Sequence, residues 1–292
     1  MNAFTIRDLE KLSGVKAHTI RIWEQRYSFL RPQRTSTNIR YYSNEELKTV
    51  LNIALLNKYG FKISHIDRMN KEEINARILS LNDSQAQLER IVHDMIARMV
   101  DMDVDGFEAL IDQQVSTRGI EKTITQIIFP FLEKVGILWL TERINPAQEH
   151  LVTNLIRQKL IAGIESTVSR ITLDKTLVLF LPEGEYHELG LLYMHYLLKS
   201  RGARVIYLGA NVPLKDVEYL VQVKKPDLMY IHMTSHASGF NFEKFLAGIE
   251  QNLGHIPLVI SGPITQQYKK QIPPSVLFKK SLSEVMEFLA SL

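Results

Sequence analysis

From Lys175 onward, short apolar runs alternate with helical segments, and few folds accommodate this pattern. The run 176–181, Thr-Leu-Val-Leu-Phe-Leu, is apolar throughout, as expected of a parallel strand buried on both faces. Further strands are predicted at 205–208, 228–232 and 258–261, and helices at 187–201, 213–223, 241–252 and 282–291. The pattern predicts a doubly wound α/β domain over 171–292. Ligands of such sheets bind at the carboxyl ends of the strands, here the loops 182–187, 209–212, 233–238 and 261–264.

A different periodicity precedes this domain. Apolar residues recur at helical spacing in four blocks, at 85–101, 103–117, 120–138 and 146–169. Four amphipathic helices predict a four-helix bundle over 85–170. Residues 71–84 are polar and are interpreted as a linker.

The first 70 residues read as a third domain. Thr5 is a plausible N-cap for a helix over 5–12, and Ser13-Gly14-Val15 supplies a turn into a second helix over 17–25. Ile20 and Trp23 lie on one face of the second helix, so we expect a helix-turn-helix with both in its core. The segment 29–42 is predicted to form a β-hairpin wing, and Ser43 to Glu46 a capping box that starts another helix. The fold class is therefore multidomain α and α/β.

Charge and composition narrow the function. Residues 1–70 hold 12 Lys/Arg and 6 Asp/Glu, a net charge of +6, whereas the remainder carries −3. This asymmetry indicates that the first domain meets a polyanion. The absence of cysteine excludes disulfides, thiolate metal sites and cysteine nucleophiles. There is no leader pattern and no apolar run of membrane-spanning length, so we expect a cytoplasmic protein that makes no membrane contact.

The first domain resembles the MerR family of winged-helix regulators. The residues that carry this resemblance are Phe4-Thr5-Ile6, the run from Val15 to Tyr27, and Asn38-Ile39-Arg40-Tyr41-Tyr42. It implies that the second helix lies in the major groove of double-stranded DNA and that the wing holds the backbone. The implied DNA-binding residues are His18, Thr19, Arg21, Arg26, Tyr27, Arg34 and Arg40. The alternative is a protein-binding winged helix whose arginines form a solvated face. Trp23 and Tyr41 are expected in the core.

The first strand of the α/β domain runs into Glu185-Tyr186-His187-Glu188-Leu189-Gly190, which resembles the cobalamin signature Asp-x-His-x-x-Gly. The resemblance implies that this domain is a Rossmann-like cobalamin-binding domain, with His187 as cobalt ligand and Glu185 fixing its other ring nitrogen. Gly190 would admit the nucleotide tail, and further contacts are implied at Thr234, Ser235 and Gly262. Ser261 replaces a glycine of the family and narrows the groove for the tail. A metal pair of His232 and His236 is the weaker alternative to ordinary loop histidines.

The bundle carries a third motif. Trp139 is followed after nine residues by Glu149-His150, which resembles the light-sensing cobalamin regulators of the CarH and LitR type. This implies that Trp139 covers the upper face of the corrin and that Glu149 and His150 line the pocket for an adenosyl group. Those photoreceptors carry a histidine directly after the tryptophan, whereas this chain has Leu140. Without the resemblance, Trp139 would be interpreted as a core residue and Glu149-His150 as a helix face.

Together these resemblances predict a transcriptional regulator, a repressor rather than an enzyme, with no catalytic residues. Adenosylcobalamin, bound through His187 between bundle and α/β domain, would change the homo-oligomeric state, a dimer that becomes a tetramer when loaded, and so change operator binding. Light and the presence of the cofactor itself are two alternative triggers, between which the sequence does not decide. Two alternatives stay open: a cofactor-independent regulator with a degenerate cobalamin domain, and a corrinoid methyl-carrier protein. The attached helix-turn-helix argues against the carrier.

Overall fold

The computed structural model describes residues 3–169, 171–234 and 240–292. The chain divides into two compact units, Met1–Ile156 and Arg157–Leu292. The first unit contains the helix-turn-helix, the wing and most of the bundle, and the second contains the parallel sheet.

The predicted winged helix-turn-helix is confirmed, and its elements begin where the caps predict. Thr5 and Ser43 each form a capping box, with Asp8 and Glu46 as the respective partners. A left-handed Gly14 ends the first helix, since only glycine adopts this conformation at no steric cost. The elements are α1 Ile6–Ser13, α2 Ala17–Arg26, the antiparallel pair β1 Gln33–Arg34 and β2 Arg40–Tyr41, α3 Asn44–Lys58, α4 Ile63–Ile66 and α5 Lys71–Leu79.

The segment interpreted as a linker contains α5. Its N-cap is Asn70, which forms a capping box with Glu73, and its one buried residue is Ile78. A polar segment with a single apolar anchor gives little periodic signal, and this is why the pattern did not reveal the helix. Helix α5 packs against α3, so the segment continues the folded first unit.

The four predicted bundle helices are present. They are α6 Ser84–Asp101, α7 Val104–Arg118, the stretch formed by α8 Ile120–Thr123, a π-helical turn Ile124–Ile128 and α9 Phe129–Leu140, and then α10 Pro146–Ser166. The π-helical turn comes directly before Pro130. Proline lacks an N–H and its ring clashes with the carbonyl four residues earlier, so a widened turn relieves that clash without ending the helix.

The continuous helix Ile120–Leu140 is long and apolar enough to cross a membrane. The prediction that no apolar run reaches this length is therefore wrong: Glu133 and Lys134 interrupt the run in sequence, but the helix continues through them. In the first unit this helix packs against α6, and Phe131, Val135 and Leu138 are buried. It is a core helix of the bundle in this structure.

The second unit is the predicted doubly wound sheet. Five parallel strands stand in the order β4-β3-β5-β6-β7, the flavodoxin-like arrangement, in which the direction of winding reverses between β3 and β5. The strands are β3 Thr176–Pro182, β4 Arg204–Val212, β5 Leu228–His232, β6 Leu258–Ser261 and β7 Val276–Lys279, and the helices are α11 Leu189–Ser200, α12 Leu214–Lys224, α13 Phe242–Leu253, α14 Ile264–Gln267 and α15 Leu282–Ala290.

Both faces of the sheet are covered. Val178 and Phe180 of β3 join an apolar cluster with residues of α12 and α13, while Leu177, Leu179 and Leu181 are also fully buried. Helix α11 packs on β3 and β5. The edge strand β7 was not predicted, because its alternation of buried Val276 with exposed Leu277 spans only four residues.

Candidate functional site

The second helix of the helix-turn-helix presents the polar face that the sequence predicts. Ile20 and Trp23 are buried, whereas His18, Arg21 and Arg26 are exposed. Thr19 is partly buried, with its Oγ1 3.4 Å from Nε2 of His18, and Tyr27 stacks on Phe29 with ring centroids 5.7 Å apart. This face is therefore available to DNA.

The two wing arginines differ in their surroundings. Arg34 is exposed, and its guanidinium donates to Oδ1 of Asn38 across the hairpin turn at 2.7 Å. Arg40 is partly buried and forms an ion pair with Glu24 of α2 at 3.0 Å. The hydroxyl of Tyr42 donates to the same Glu24 carboxylate. Arg40 thus holds the wing to α2, a role that its sequence position did not reveal, while Tyr41 is only partly buried and Tyr42 is the core tyrosine.

The helix-turn-helix is bonded to the bundle by two cationic side chains. Arg143, just after α9, lies 3.1 Å from the buried carboxylate of Asp8 and donates to the carbonyl of Ala3. Lys134 of α9 donates to the carbonyl of Leu12 at the end of α1. Burial lowers the pKa of Lys134. These bonds join α9, whose last two residues are Trp139 and Leu140, to the helix-turn-helix domain.

Trp139 is not a core residue. It is 47% exposed, and the neighbouring Leu140 is 83% exposed, so two large apolar side chains face outward at the end of α9. Glu149 and His150 lie in the first turn of α10, with His150 Nδ1 3.0 Å from Oε2 of Glu149. Trp139 and Leu140 thus form an exposed apolar surface at the end of α9.

In the second unit, the motif after β3 folds into a compact loop around one carboxylate. Oε1 of Glu185 lies 2.6 Å from Nδ1 of His187 and accepts hydrogen bonds from the backbone N–H groups of Tyr186 and His187. Glu185 is 2% exposed, whereas the imidazole is 60% exposed. The carboxylate therefore sets the ring's orientation and directs Nε2 away from itself, as in the carboxylate–histidine pairs of metal sites.

Three residues that the sequence analysis missed, Asn211, Arg157 and Tyr207, brace this loop. The side-chain oxygen of Asn211 accepts from the N–H of Gly184, and the N–H of Asn211 donates to the carbonyl of Glu185. Glu188 accepts from Arg157 and from the hydroxyl of Tyr207. Glu188 is visible in the sequence because it directly follows His187. Its partners lie on other helices and strands, so the sequence motif does not reveal them.

The remaining predicted residues lie at the ends of β5 and β6. Thr234 is exposed, and Ser235 and His236 lie outside the described residues. Gly262 has a positive φ of 96°, and a β-carbon there would meet the carbonyl oxygen of Met233 at 2.3 Å, so only glycine fits. Gly190 lies directly against the ring of His232.

The donor set fits a corrinoid better than a bare metal ion. Across residues 3–169, 171–234 and 240–292, no cluster of three or more His, Asp or Glu side chains is arranged to hold a metal. A corrin supplies four equatorial nitrogens of its own, so one oriented imidazole suffices as an axial ligand. His187 provides such an imidazole beside the point where the winding of the sheet reverses.

Family models match three parts of the chain. Residues 4–73 match the MerR HTH family regulatory protein, and residues 91–162 and 175–274 each match a B12 binding domain. The chain is thus similar to MerR HTH regulators over its first 73 residues and to B12 binding domains over most of the remainder.

Two relatives are similar to this chain over most of their length. The chain is 27% identical over 269 residues to the HTH-type transcriptional repressor CarA of Myxococcus xanthus, covering 91% of this chain and 89% of CarA. It is 27% identical over 274 residues to the HTH-type transcriptional repressor CarH of the same organism, covering 91% of each. Among solved structures, the monomethylamine corrinoid protein of Methanosarcina barkeri is similar, with a TM-score of 0.53 and 15% identity over 70% of this chain and 99% of that one. This last likeness shows the fold alone.

Proposed function

We propose that this chain, a MerR-type regulator with cobalamin-binding domains, is a transcriptional repressor whose operator binding depends on a cobalamin. The observation that carries the proposal is the Glu185–His187 pair, a buried carboxylate 2.6 Å from the Nδ1 of an exposed imidazole. The names of both relatives are those of transcriptional repressors, and neither is named as an enzyme. We infer that the protein acts in the cytoplasm on double-stranded operator DNA.

His187 would hold the cobalt of the bound corrinoid. Glu185 accepts the Nδ1 proton, which fixes the tautomer and leaves Nε2 as the metal-binding nitrogen, and the two backbone N–H bonds keep Glu185 itself in place. When bound, an adenosylated corrinoid supplies a large planar ligand with a cobalt–carbon bond that light can break. Trp139, with Leu140, offers apolar surface to such a ring, and Glu149 and His150 offer polar groups to an adenosyl moiety.

The bonds between α9 and the helix-turn-helix offer a physical route for the signal. A shift of α9 on ligand binding would act on Lys134 and Arg143, which hold α1 through the Leu12 carbonyl and Asp8. Loading would also change subunit assembly. A tetramer can engage an operator through more DNA-binding domains than a dimer can. Once one domain is bound, the others are held near the DNA at a high effective concentration, so the tetramer binds more tightly.

The second histidine of the photoreceptors that this chain resembles is replaced by Leu140, which has no nitrogen to offer the cobalt, so we do not propose a light state held by a histidine at this position. We propose that the presence of the cofactor is the primary signal and that light is a secondary one.

The proposal is tested by the absorbance spectrum of protein incubated with adenosylcobalamin in the dark and then desalted. We expect retained corrin bands that weaken or shift in His187→Ala, and an unchanged spectrum in the control His255→Ala, whose imidazole is exposed elsewhere in the same unit. Absence of retained corrin in the wild type would contradict the proposal and favour a cofactor-independent regulator.

A further inference from the structure

His232 fills the space that Gly190 leaves open. A β-carbon placed on Gly190 would lie 2.2 Å from Cδ2 and 2.5 Å from Nε2 of His232. These distances mean that the imidazole packs directly on the glycine backbone. Gly190 follows His187 by three residues, so the filled space lies beside the proposed cobalt ligand.

His232 is held in this position by a chain of hydrogen bonds. Its Nδ1 lies 2.8 Å from Oγ of Ser261, and the same hydroxyl lies 2.5 Å from that of Tyr230. Ser261 and Tyr230 are each 2% exposed. Burial lowers the pKa of His232 to about 4, so the ring is neutral at physiological pH, and moving it would leave a buried hydroxyl pair with one partner fewer.

The position of His232 beside Gly190 matters because a complete corrinoid has a nucleotide tail that needs space in the protein. Cobalamin carries its own lower base, tethered to the corrin by a nucleotide tail. If an imidazole of the protein binds the cobalt from below, the displaced base stays on that same side and must lie alongside the imidazole. The neighbouring protein is the carboxyl edge of β5 and β6, since β5 pairs with β3 and β6 pairs with β5. His232 ends β5, and Ser261 ends β6.

We propose that His232, locked by Ser261, is a specificity-determining residue that fills the groove beside Gly190, so that the protein gains little affinity from the nucleotide tail of a corrinoid. Wild-type protein therefore distinguishes poorly between adenosylcobalamin and adenosylcobinamide, which has the same corrin and upper ligand but no nucleotide tail. This inference rests on the proposed function, because it requires a corrinoid on His187.

Equilibrium dialysis in the dark with each of these two corrinoids tests the proposal. We expect wild-type dissociation constants for the two within about threefold of each other, well under the tenfold that 1.4 kcal/mol represents. His232→Gly combined with Ser261→Gly opens the groove. We expect this variant to bind adenosylcobalamin at least about tenfold more tightly, because an enclosed aromatic base removes a large apolar area from water, with little change for adenosylcobinamide.

Two controls keep the result interpretable. His255→Gly removes an exposed imidazole of the same unit and should change neither constant. Ser261→Gly alone removes the hydrogen bond that holds the His232 imidazole but keeps the imidazole. We expect this variant to show an intermediate increase in affinity for adenosylcobalamin. Binding of adenosylcobinamide reports whether each variant is folded.

The possible results distinguish a failure of the proposed role of His232 from a failure of the proposed function. A wild type that binds adenosylcobalamin about tenfold or more tighter than adenosylcobinamide would overturn the role of His232, as would an opened variant that binds both as the wild type does. A wild type that binds neither corrinoid would overturn the proposed function and this inference with it.

Discussion

Nε of Arg143 lies 3.1 Å from Oδ2 of Asp8, a carboxylate that is 1% exposed in the core between helix-turn-helix and bundle. Asp8 also closes the capping box of α1, where it accepts from the N–H and hydroxyl of Thr5. A single carboxylate thus closes the cap at the start of α1 and pairs with Arg143, which follows Trp139 and the end of α9.

Loss of this pair should destabilise the first unit. Arg143→Ala leaves Asp8 buried with only its capping partners, and we expect the free energy of unfolding to fall by about 1–3 kcal/mol. Both tryptophans, Trp23 and Trp139, lie in the first unit, so urea unfolding followed by their fluorescence reports it. The control Lys16→Ala removes an exposed ion pair with Glu10 and should change the value by less than about 0.5 kcal/mol. Equal effects of the two substitutions would contradict this role of Arg143.

The two wing arginines should respond differently to substitution. Arg34→Ala is expected to weaken binding to all DNA sequences alike and to reduce the slope of log affinity against log salt by about 1, as for a phosphate contact. Arg40→Ala removes the partner of Glu24, so its main effect should be on stability. Fluorescence anisotropy with labelled duplexes at several salt concentrations measures the slope. If Arg34→Ala changes the stability and leaves the slope intact, this assignment is wrong.

Burial of His93 predicts a pH dependence of stability. Burial, with smaller effects of Lys134 and Lys58, lowers its pKa to about 3. The other charged residues lining the cavities beside it are Lys11, Glu45, Lys48, Lys71, Glu89 and Asp94. In the unfolded chain the His93 imidazole has a pKa of about 6.5 and binds a proton below that pH, whereas in the folded chain it stays neutral. The free energy of unfolding therefore decreases as the pH falls from about 6.5 towards 3.

This contribution should disappear in His93→Leu. We expect the free energy of unfolding of the wild type to fall, relative to the variant, by about 1.4 kcal/mol per pH unit well below pH 6.5. Urea titrations at pH 7, 6 and 5 measure the difference. His65→Leu alters an exposed histidine and should leave the wild-type slope unchanged, and parallel pH profiles for wild type and His93→Leu would show that His93 is not responsible.

Glu185 should act on the cofactor through His187. Glu185→Gln keeps the shape of the side chain but removes the charge that orients the imidazole, and we expect corrinoid affinity to fall by about 10- to 100-fold. The absorbance bands of the fraction still bound should also shift, because the ligand nitrogen becomes less basic. Glu183→Gln changes an exposed carboxylate two residues away and serves as control. If Glu185→Gln leaves both the corrinoid affinity and the spectrum unchanged, Glu185 has no role in holding the cofactor.

Much of the fold could be predicted from local signals. The caps Thr5 and Ser43 fix helix starts through bonds to residues three positions away, and the apolar run 176–181 specifies a strand buried on both faces. Helix α5 and strand β7 escaped prediction because each is short and held by neighbours distant in sequence.

The candidate site was predictable only where its partners are close in sequence. Glu185 and His187 are two residues apart, so their pairing follows from the motif. The contacts of His232 with Gly190 and Ser261, and of Arg143 with Asp8, join elements separated by 29 residues or more, and no local pattern encodes them. Arg40 illustrates the same limit, since its partner Glu24 lies on another element.

The central claim is that a cobalamin controls DNA binding, and the most direct measurement is operator affinity with and without the cofactor. An operator selected from random duplexes with the purified protein would be titrated in the dark with apo protein and with protein loaded with adenosylcobalamin. The account predicts binding at least about tenfold tighter when loaded, with the difference lost in His187→Ala. Equal affinities of apo and loaded wild-type protein, in samples whose spectra show bound corrin, would contradict it.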